Sequence, residues 1–132
     1  MREFHLTIAT PDGVEFDGLV ESLLVKTGDG DVEILAGHTD LLATLAVGRA
    51  RVLTAGKSRF ASVAGGFISV TKDEVALVCT TFEFADSIDV KRAEKAKEHA
   101  EELLRQAKSD KQMRAAEAKL SRALNRLKVS KL

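Results

Sequence analysis

The chain has 132 residues, room for one ordinary domain or for a small sandwich with an appendage, and its 45% hydrophobic content excludes wholesale disorder. Twenty basic residues balance 20 acidic ones, so net charge points neither to nucleic-acid binding nor to broad adsorption on a membrane surface. Apolar runs such as Val75 to Cys79 fall far short of the roughly 20 residues that a membrane-crossing helix needs, so any membrane association is expected to run through partner proteins. The single Cys79 cannot close an internal disulfide and no leader-like pattern opens the chain, which points to a reducing, cytoplasmic setting.

From Phe4 to Phe84 short β-branched and apolar runs with period two are broken by turn residues at roughly 8 to 12-residue intervals. His5, Thr7 and Ala9 alternate with Leu6 and Ile8, and Pro11-Asp12-Gly13 supplies a turn. Further strands are predicted for Leu19 to Thr27, Val32 to Leu35, Leu42 to Val47, Ala50 to Thr54, Arg59 to Val63, Phe67 to Thr71 and Val75 to Thr80. Turns are predicted at Gly28-Asp29-Gly30, Ala55-Gly56-Lys57, Gly65-Gly66 and Lys72-Asp73. Connections this short cannot carry parallel crossovers, so the reading is an all-β antiparallel sandwich over residues 1–85.

The period changes at Phe84. From Asp89 on there is no Gly or Pro, and Ala, Lys, Glu, Arg and Leu dominate, which is helical composition. Asp89 is placed to cap a first helix. Its predicted apolar seam is Ala93, Ala96, Ala100, Leu103, Leu104 and Ala107. Ser109-Asp110 interrupts the pattern and caps a second helix with the seam Met113, Ala116, Leu120, Ala123, Leu124 and Leu127. A break this short folds the pair into an antiparallel two-helix hairpin over residues 86–132. Alanine lets the helices approach but buries little, about 0.8 kcal/mol per methyl against two to three times that for Leu, so the hairpin is expected to be marginal and a candidate moving part. Charge is uneven along the chain: residues 1–112 hold 14 Lys and Arg against 19 Asp and Glu, whereas residues 113–132 hold 6 against 1. The second helix is a basic arm on an acidic body.

Several apparent motifs fail on spacing. Gly56-Lys57-Ser58 resembles the end of a phosphate-binding loop, but Arg51 stands where that loop needs Gly and the context is a turn between strands. Asp29, Asp31 and Glu33 imitate a calcium loop, yet Ile34 and Asp40 occupy its required Gly and Glu positions. His38 has no second ligand at metal spacing and reads as a structural or contact residue. Cys79 reads as core packing. No nucleophile and base, dinucleotide turn or carboxylate pair emerges, so catalysis is not expected.

One cluster stands out. Glu83, Asp89 and Arg92 lie where strands give way to helices, and Arg122 and Arg126 are one turn apart on the second helix. An antiparallel hairpin sets the late part of the second helix beside the start of the first, so three guanidiniums can converge near a helix N-terminus, a setting suited to polyphosphate. The alternative is that Arg122 and Arg126 pair with Glu83, Glu94 and Asp89 as surface salt bridges.

The whole chain resembles the epsilon subunit of bacterial F-type ATP synthases. The resemblance rests on LTIATPDG at Leu6 to Gly13, Gly37-His38 followed by Leu41-Leu42, Gly65-Gly66-Phe67 before a strand, and IDVKRA at Ile88 to Ala93. It departs from the family pattern at Glu33 and Ala36, where Gly and Pro are common. IDVKRA is similar to the pattern that accompanies a nucleotide site in ATP-binding members, which implies ATP binding by Ile88, Asp89, Arg92 and Ala93 with Glu83, Arg122 and Arg126. The resemblance further implies a non-catalytic stalk subunit of a proton- or sodium-translocating complex, held peripherally on the cytoplasmic face of the bacterial membrane. Its sandwich would bind the gamma subunit and touch the ring of c subunits, His38 included. Its helices would permit ATP hydrolysis when folded and inhibit it when extended, with Arg114, Lys119, Arg122, Arg126 and Lys128 meeting the catalytic alpha and beta subunits. The competing class is a generic interaction module whose basic arm binds an acidic protein or nucleic acid, although residues 85–132 lack the aromatics that would favour nucleic acid.

Overall fold

The computed structural model describes residues 2–72 and 74–132; of the expected Lys72-Asp73 turn, Asp73 lies outside the described residues. Eight strands come first: β1 (Phe4–Thr10), β2 (Gly13–Val20), β3 (Ser22–Thr27), β4 (Gly30–Leu35), β5 (Leu41–Thr44), β6 (Gly48–Thr54), β7 (Lys57–Thr71) and β8 (Glu74–Phe84). A short 3-10 turn at Ala85–Ser87 leads into α1 (Val90–Gln106) and α2 (Asp110–Ser130). Two compact units result, dividing between Phe84 and Ala85.

The strands pair in the order β2-β1-β8-β7-β6-β3-β4, with β5 on the second half of β7. The long β7 serves both layers: Lys57 to Val63 pair with β6, Phe67 to Val70 with β5. Inward side chains alternate along the strands, so that Phe4, Leu6, Ile8, Leu23, Val25, Ile34, Val52, Ile68, Val70, Val75 and Leu77 fill one core. Cys79 is part of it, and burial pushes its thiol up to about 12. At one end Phe84 packs edge-on against Phe82 and Phe16, with the Arg59 guanidinium 3.6 Å over its ring.

Four strand expectations need correction. Gly65-Gly66 is a bend inside β7, not a turn between strands: pairing with β8 continues in register from Ala61↔Phe84 to Thr71↔Glu74. Both glycines have positive φ, +78° and +115°. A Cβ on Gly66 would lie 2.0 Å from the Val78 carbonyl oxygen, so only glycine lets β7 and β8 turn this corner together. Leu19 to Thr27 is two strands, because the chain changes layers at Glu21, from pairing β1 to pairing β4 and β6. The inward set shifts accordingly from even numbers (Val20) to odd ones (Leu23, Val25, Thr27). The strand expected over Leu42 to Val47 ends at Thr44, after which only Leu45 bridges to Thr27. Finally, pairing is antiparallel everywhere except between β1 and β8, which run parallel. Short turns constrain only consecutive strands; the intervening domain supplies the long crossover that a parallel pair needs.

Both helix caps form as residue chemistry dictates. The Asp89 carboxylate accepts from the Arg92 backbone N–H at 3.1 Å and the Ser109 hydroxyl from that of Gln112 at 3.1 Å. The seam is narrower than expected. Ala93, Ala100, Ala116 and Ala123 are buried, while Ala96, Met113 and Leu124 are exposed. The inner positions follow a 4-3-4-3 spacing, 93-97-100-104 on α1 and then its C-cap 107, and 116-120-123-127 on α2; Met113 and Leu124 sit to its side. Ala93 and Ala123 lie equally far from the turn, as do Ala100 and Ala116, so small residues oppose small ones.

Candidate functional site

The candidate site is built on the first turn of α1. Ile88 is buried, Asp89 caps the helix, Arg92 is exposed and Ala93 is fully buried on the seam. One oxygen of the Asp89 carboxylate accepts from the Arg92 backbone N–H and so caps the helix. The uncompensated N–H groups and dipole of α1 favour an anion here. On α2, Arg122 is exposed and Arg126 half-buried, one turn apart. The antiparallel hairpin brings this stretch level with the first turns of α1, so Asp89, Arg92, Arg122 and Arg126 occupy the same end of the hairpin. Glu83 belongs to the other unit, on β8 opposite Ser62.

The remaining cations of α2, Arg114, Lys119 and Lys128, are exposed. Lys119 also rims, with Gln106 and Gln112, an open cavity of about 300 Å³ floored by Leu103, Ala107 and Ala116. That cavity lies near the turn, at the opposite end of the hairpin from Asp89. There the Arg105 guanidinium bonds Glu102 and holds its carboxyl below the usual carboxylate range.

On the sandwich, Gly37 (φ +77°) shapes the loop that presents His38. The His38 backbone N–H donates to the Leu35 carbonyl at 3.1 Å, and ring Nδ1 lies 2.7 Å from the Thr39 carbonyl. A carbonyl only accepts, so Nδ1 carries a proton and Nε2 is left for a partner. Leu35 and Leu42, flanking this loop, are exposed at 54% and 76%.

Another feature was not anticipated from the sequence. Phe67, Val78, Ala9 and Val14 are successive cross-strand partners on β7, β8, β1 and β2, so they form an apolar row across the outer face of the sheet. Phe67, Val78 and Val14 are exposed at 42%, 40% and 66%. Large apolar residues out of phase with the inward set were the signal available for it.

Comparison with known proteins accounts for both units. Residues 3–85 match the family described as ATP synthase, Delta/Epsilon chain, beta-sandwich domain, and residues 86–131 the one described as ATP synthase, Delta/Epsilon chain, long alpha-helix domain. The chain belongs to the ATP synthase delta/epsilon family. It is 39% identical over 130 residues to the ATP synthase epsilon chain of Bacillus velezensis, covering 98% of each. With that of Halalkalibacterium halodurans it shares 40% over 131 residues, again covering 98% of each. Among solved structures, the fold is similar to a chain in the Euglena gracilis mitochondrial ATP synthase (OSCP/F1/c-ring), with TM-score 0.78 and 24% identity over 90% of this chain and 76% of that one. A chain in the Tetrahymena thermophila mitochondrial ATP synthase central stalk/c-ring gives 0.68 and 17% over 98% and 97%. As a member of that family it is a non-catalytic subunit of ATP synthase. Among the described residues no helix is long and apolar enough to cross a membrane.

Proposed function

We propose that this epsilon chain divides its work between its two units: the sandwich fastens it to the rotor and the hairpin regulates ATP hydrolysis. The exposed apolar row of Phe67, Val78, Ala9 and Val14 suits the gamma subunit, since an uninterrupted apolar strip across four strands is costly to leave in water. The His38 loop with Leu35 and Leu42 suits the ring of c subunits. The complex holds the chain peripherally at the cytoplasmic face of the membrane.

The hairpin has a closed form, the one described above, and an extended form that inhibits hydrolysis. The observation that carries this reading is that the residues buried at the heart of the helix seam are alanines, while Met113 and Leu124 on α2 remain exposed. Closing such a seam gains about 0.8 kcal/mol per methyl, and a second surface can compete for it. In the extended form Arg114, Lys119, Arg122, Arg126 and Lys128 meet acidic surfaces of the catalytic alpha and beta subunits. In the closed form ATP binds Ile88, Asp89, Arg92, Ala93, Arg122 and Arg126 and so opposes inhibition. A ligand present at ten times its dissociation constant stabilises the form it binds by about 1.4 kcal/mol, roughly a tenfold shift in population.

Deleting residues 89–132 tests the division. The truncated chain should still bind gamma and support coupled synthesis in a reconstituted enzyme, while its inhibition of hydrolysis is lost. Failure to assemble, or full inhibition without the hairpin, would overturn it.

A further inference from the structure

Three side chains from three adjacent strands meet on the outer face of the sandwich. His5 on β1 has Nδ1 2.8 Å from a Glu74 carboxylate oxygen on β8, and its Nε2 bonds the Asp17 carboxylate on β2. The backbone sets this up: Glu74 is the register partner of His5 in the parallel pair, and Asp17 pairs with Thr7, the next residue on the same face of β1. Ionised carboxylates only accept hydrogen bonds, and a neutral imidazole has a single N–H. A neutral His5 can therefore satisfy one of the two carboxylates, and the imidazolium satisfies both.

Among the described residues, the three strands that carry this cluster supply its carboxylates with no cation besides His5. Among β1, β2 and β8 the charged residues besides these three are Glu15 and Glu83, and none of these strands carries Lys or Arg. Glu15 accepts from Thr10 at the far end of the β1–β2 ribbon, and Glu83 lies opposite Ser62 toward the end of β8. Leu19, opposite His5, and Thr71, opposite Glu74, are uncharged. Arg2 and Glu3 precede β1 and Lys72 precedes β8 in the chain. β2 ends the strand order and pairs with β1 alone.

We propose that His5 is a proton-operated clasp: as the imidazolium it ties the terminal strand β2 to β1 and β8, and on losing its proton it releases one of the two carboxylates. The hydrogen bond to Asp17, followed by that to Glu74, raises the His5 pKa above the ordinary 6.5. For a raised pKa the clasp's contribution is fully present below the unfolded value, near 6.5, and disappears as pH climbs through the folded value. β2 also carries Val14 and Leu19, exposed at 66% and 56%, so the clasp governs how firmly that part of the apolar face is held.

The test is a ring-proton NMR titration of His5 in the full chain, together with amide exchange of β2 relative to the β7–β8 core. His5 should titrate above 6.5, Asp17→Asn and Glu74→Gln should each lower its pKa, and the double variant should bring it near 6.5. Relative β2 protection should fall across the wild-type His5 transition, by up to about tenfold per unit that the pKa stands above its ordinary value. Asp17→Asn and His5→Gln should flatten that step. A His5 transition at or below 6.5, a pH-independent β2 in the wild type, or an unchanged step in Asp17→Asn would each overturn the clasp.

Discussion

Replacing Gly66 by Ala should come close to unfolding the sandwich, whereas the same change at Gly65 should be survivable. At Gly66 the added Cβ would sit 2.0 Å from the Val78 carbonyl oxygen, 2.7 Å from the Cys79 Cα and 2.9 Å from the Val78 carbonyl carbon. All three are backbone atoms of the paired strand, so no side chain can swing away. Relief requires β8 to move, and Leu77 and Cys79 on that strand are core residues. Overpacking costs about 1–3 kcal/mol and the φ of +115°, which L residues rarely adopt, about 1–3 more, so a loss of about 2–6 kcal/mol is expected. Against a typical total of about 5–15 kcal/mol that is a large share. At Gly65 the nearest atom is Thr80 Oγ1 at 3.2 Å, on a rotatable side chain, and φ is +78°; about 1–2 kcal/mol should be lost. Urea unfolding followed through resolved β8 amide resonances measures the sandwich separately from the hairpin. With a slope of about 1 kcal/mol/M, Gly65→Ala should lower the midpoint by about 1–2 M and Gly66→Ala by about 2–6 M. Equal losses in the two variants, or less than about 1 kcal/mol at Gly66, would refute the backbone-clash reasoning.

Asp89→Ala removes the α1 cap and should cost about 1 kcal/mol of hairpin stability without any ligand, read as faster amide exchange at Arg92 and the rest of the first turn. Ala100→Leu places a large side chain on a fully buried seam position and should destabilise the closed hairpin by about 1–3 kcal/mol, again visible in helix amide exchange while β8 is unaffected. Lys128→Glu reverses an exposed charge outside the proposed nucleotide site. It should weaken inhibition of hydrolysis in the reconstituted enzyme without changing ATP affinity.

Most of the fold was legible because its signals are local. Period two marked the strands, Gly and Pro the turns, and the caps at Asp89 and Ser109 follow from side-chain chemistry that needs no tertiary context. What escaped depends on partners distant in sequence. The Gly65-Gly66 pair reads as a turn unless β8 is known to run alongside it, and the layer change at Glu21 has no Gly or Pro to announce it, only a phase shift between Val20 and Leu23. The parallel β1–β8 pair, and the His5 cluster that depends on it, join residues from opposite ends of the sandwich's sequence. In the candidate site, the grouping of Asp89 and Arg92 with Arg122 and Arg126 follows from antiparallel helices and was legible. The exposed apolar row went unread because Phe67 and Val78 are neighbours only through strand pairing.

The regulatory account stands most directly on whether ATP closes the hairpin. Amide exchange of the isolated chain, with and without millimolar ATP, measures this at Ala93, Ala100, Ala116 and Ala123, the alanines buried on the seam. Protection at all four should rise saturably with ATP, by about tenfold at ten times the dissociation constant, and the rise should vanish in Arg92→Ala. Identical protection with and without ATP, or an equal rise in Arg92→Ala, would contradict the nucleotide-gated hairpin.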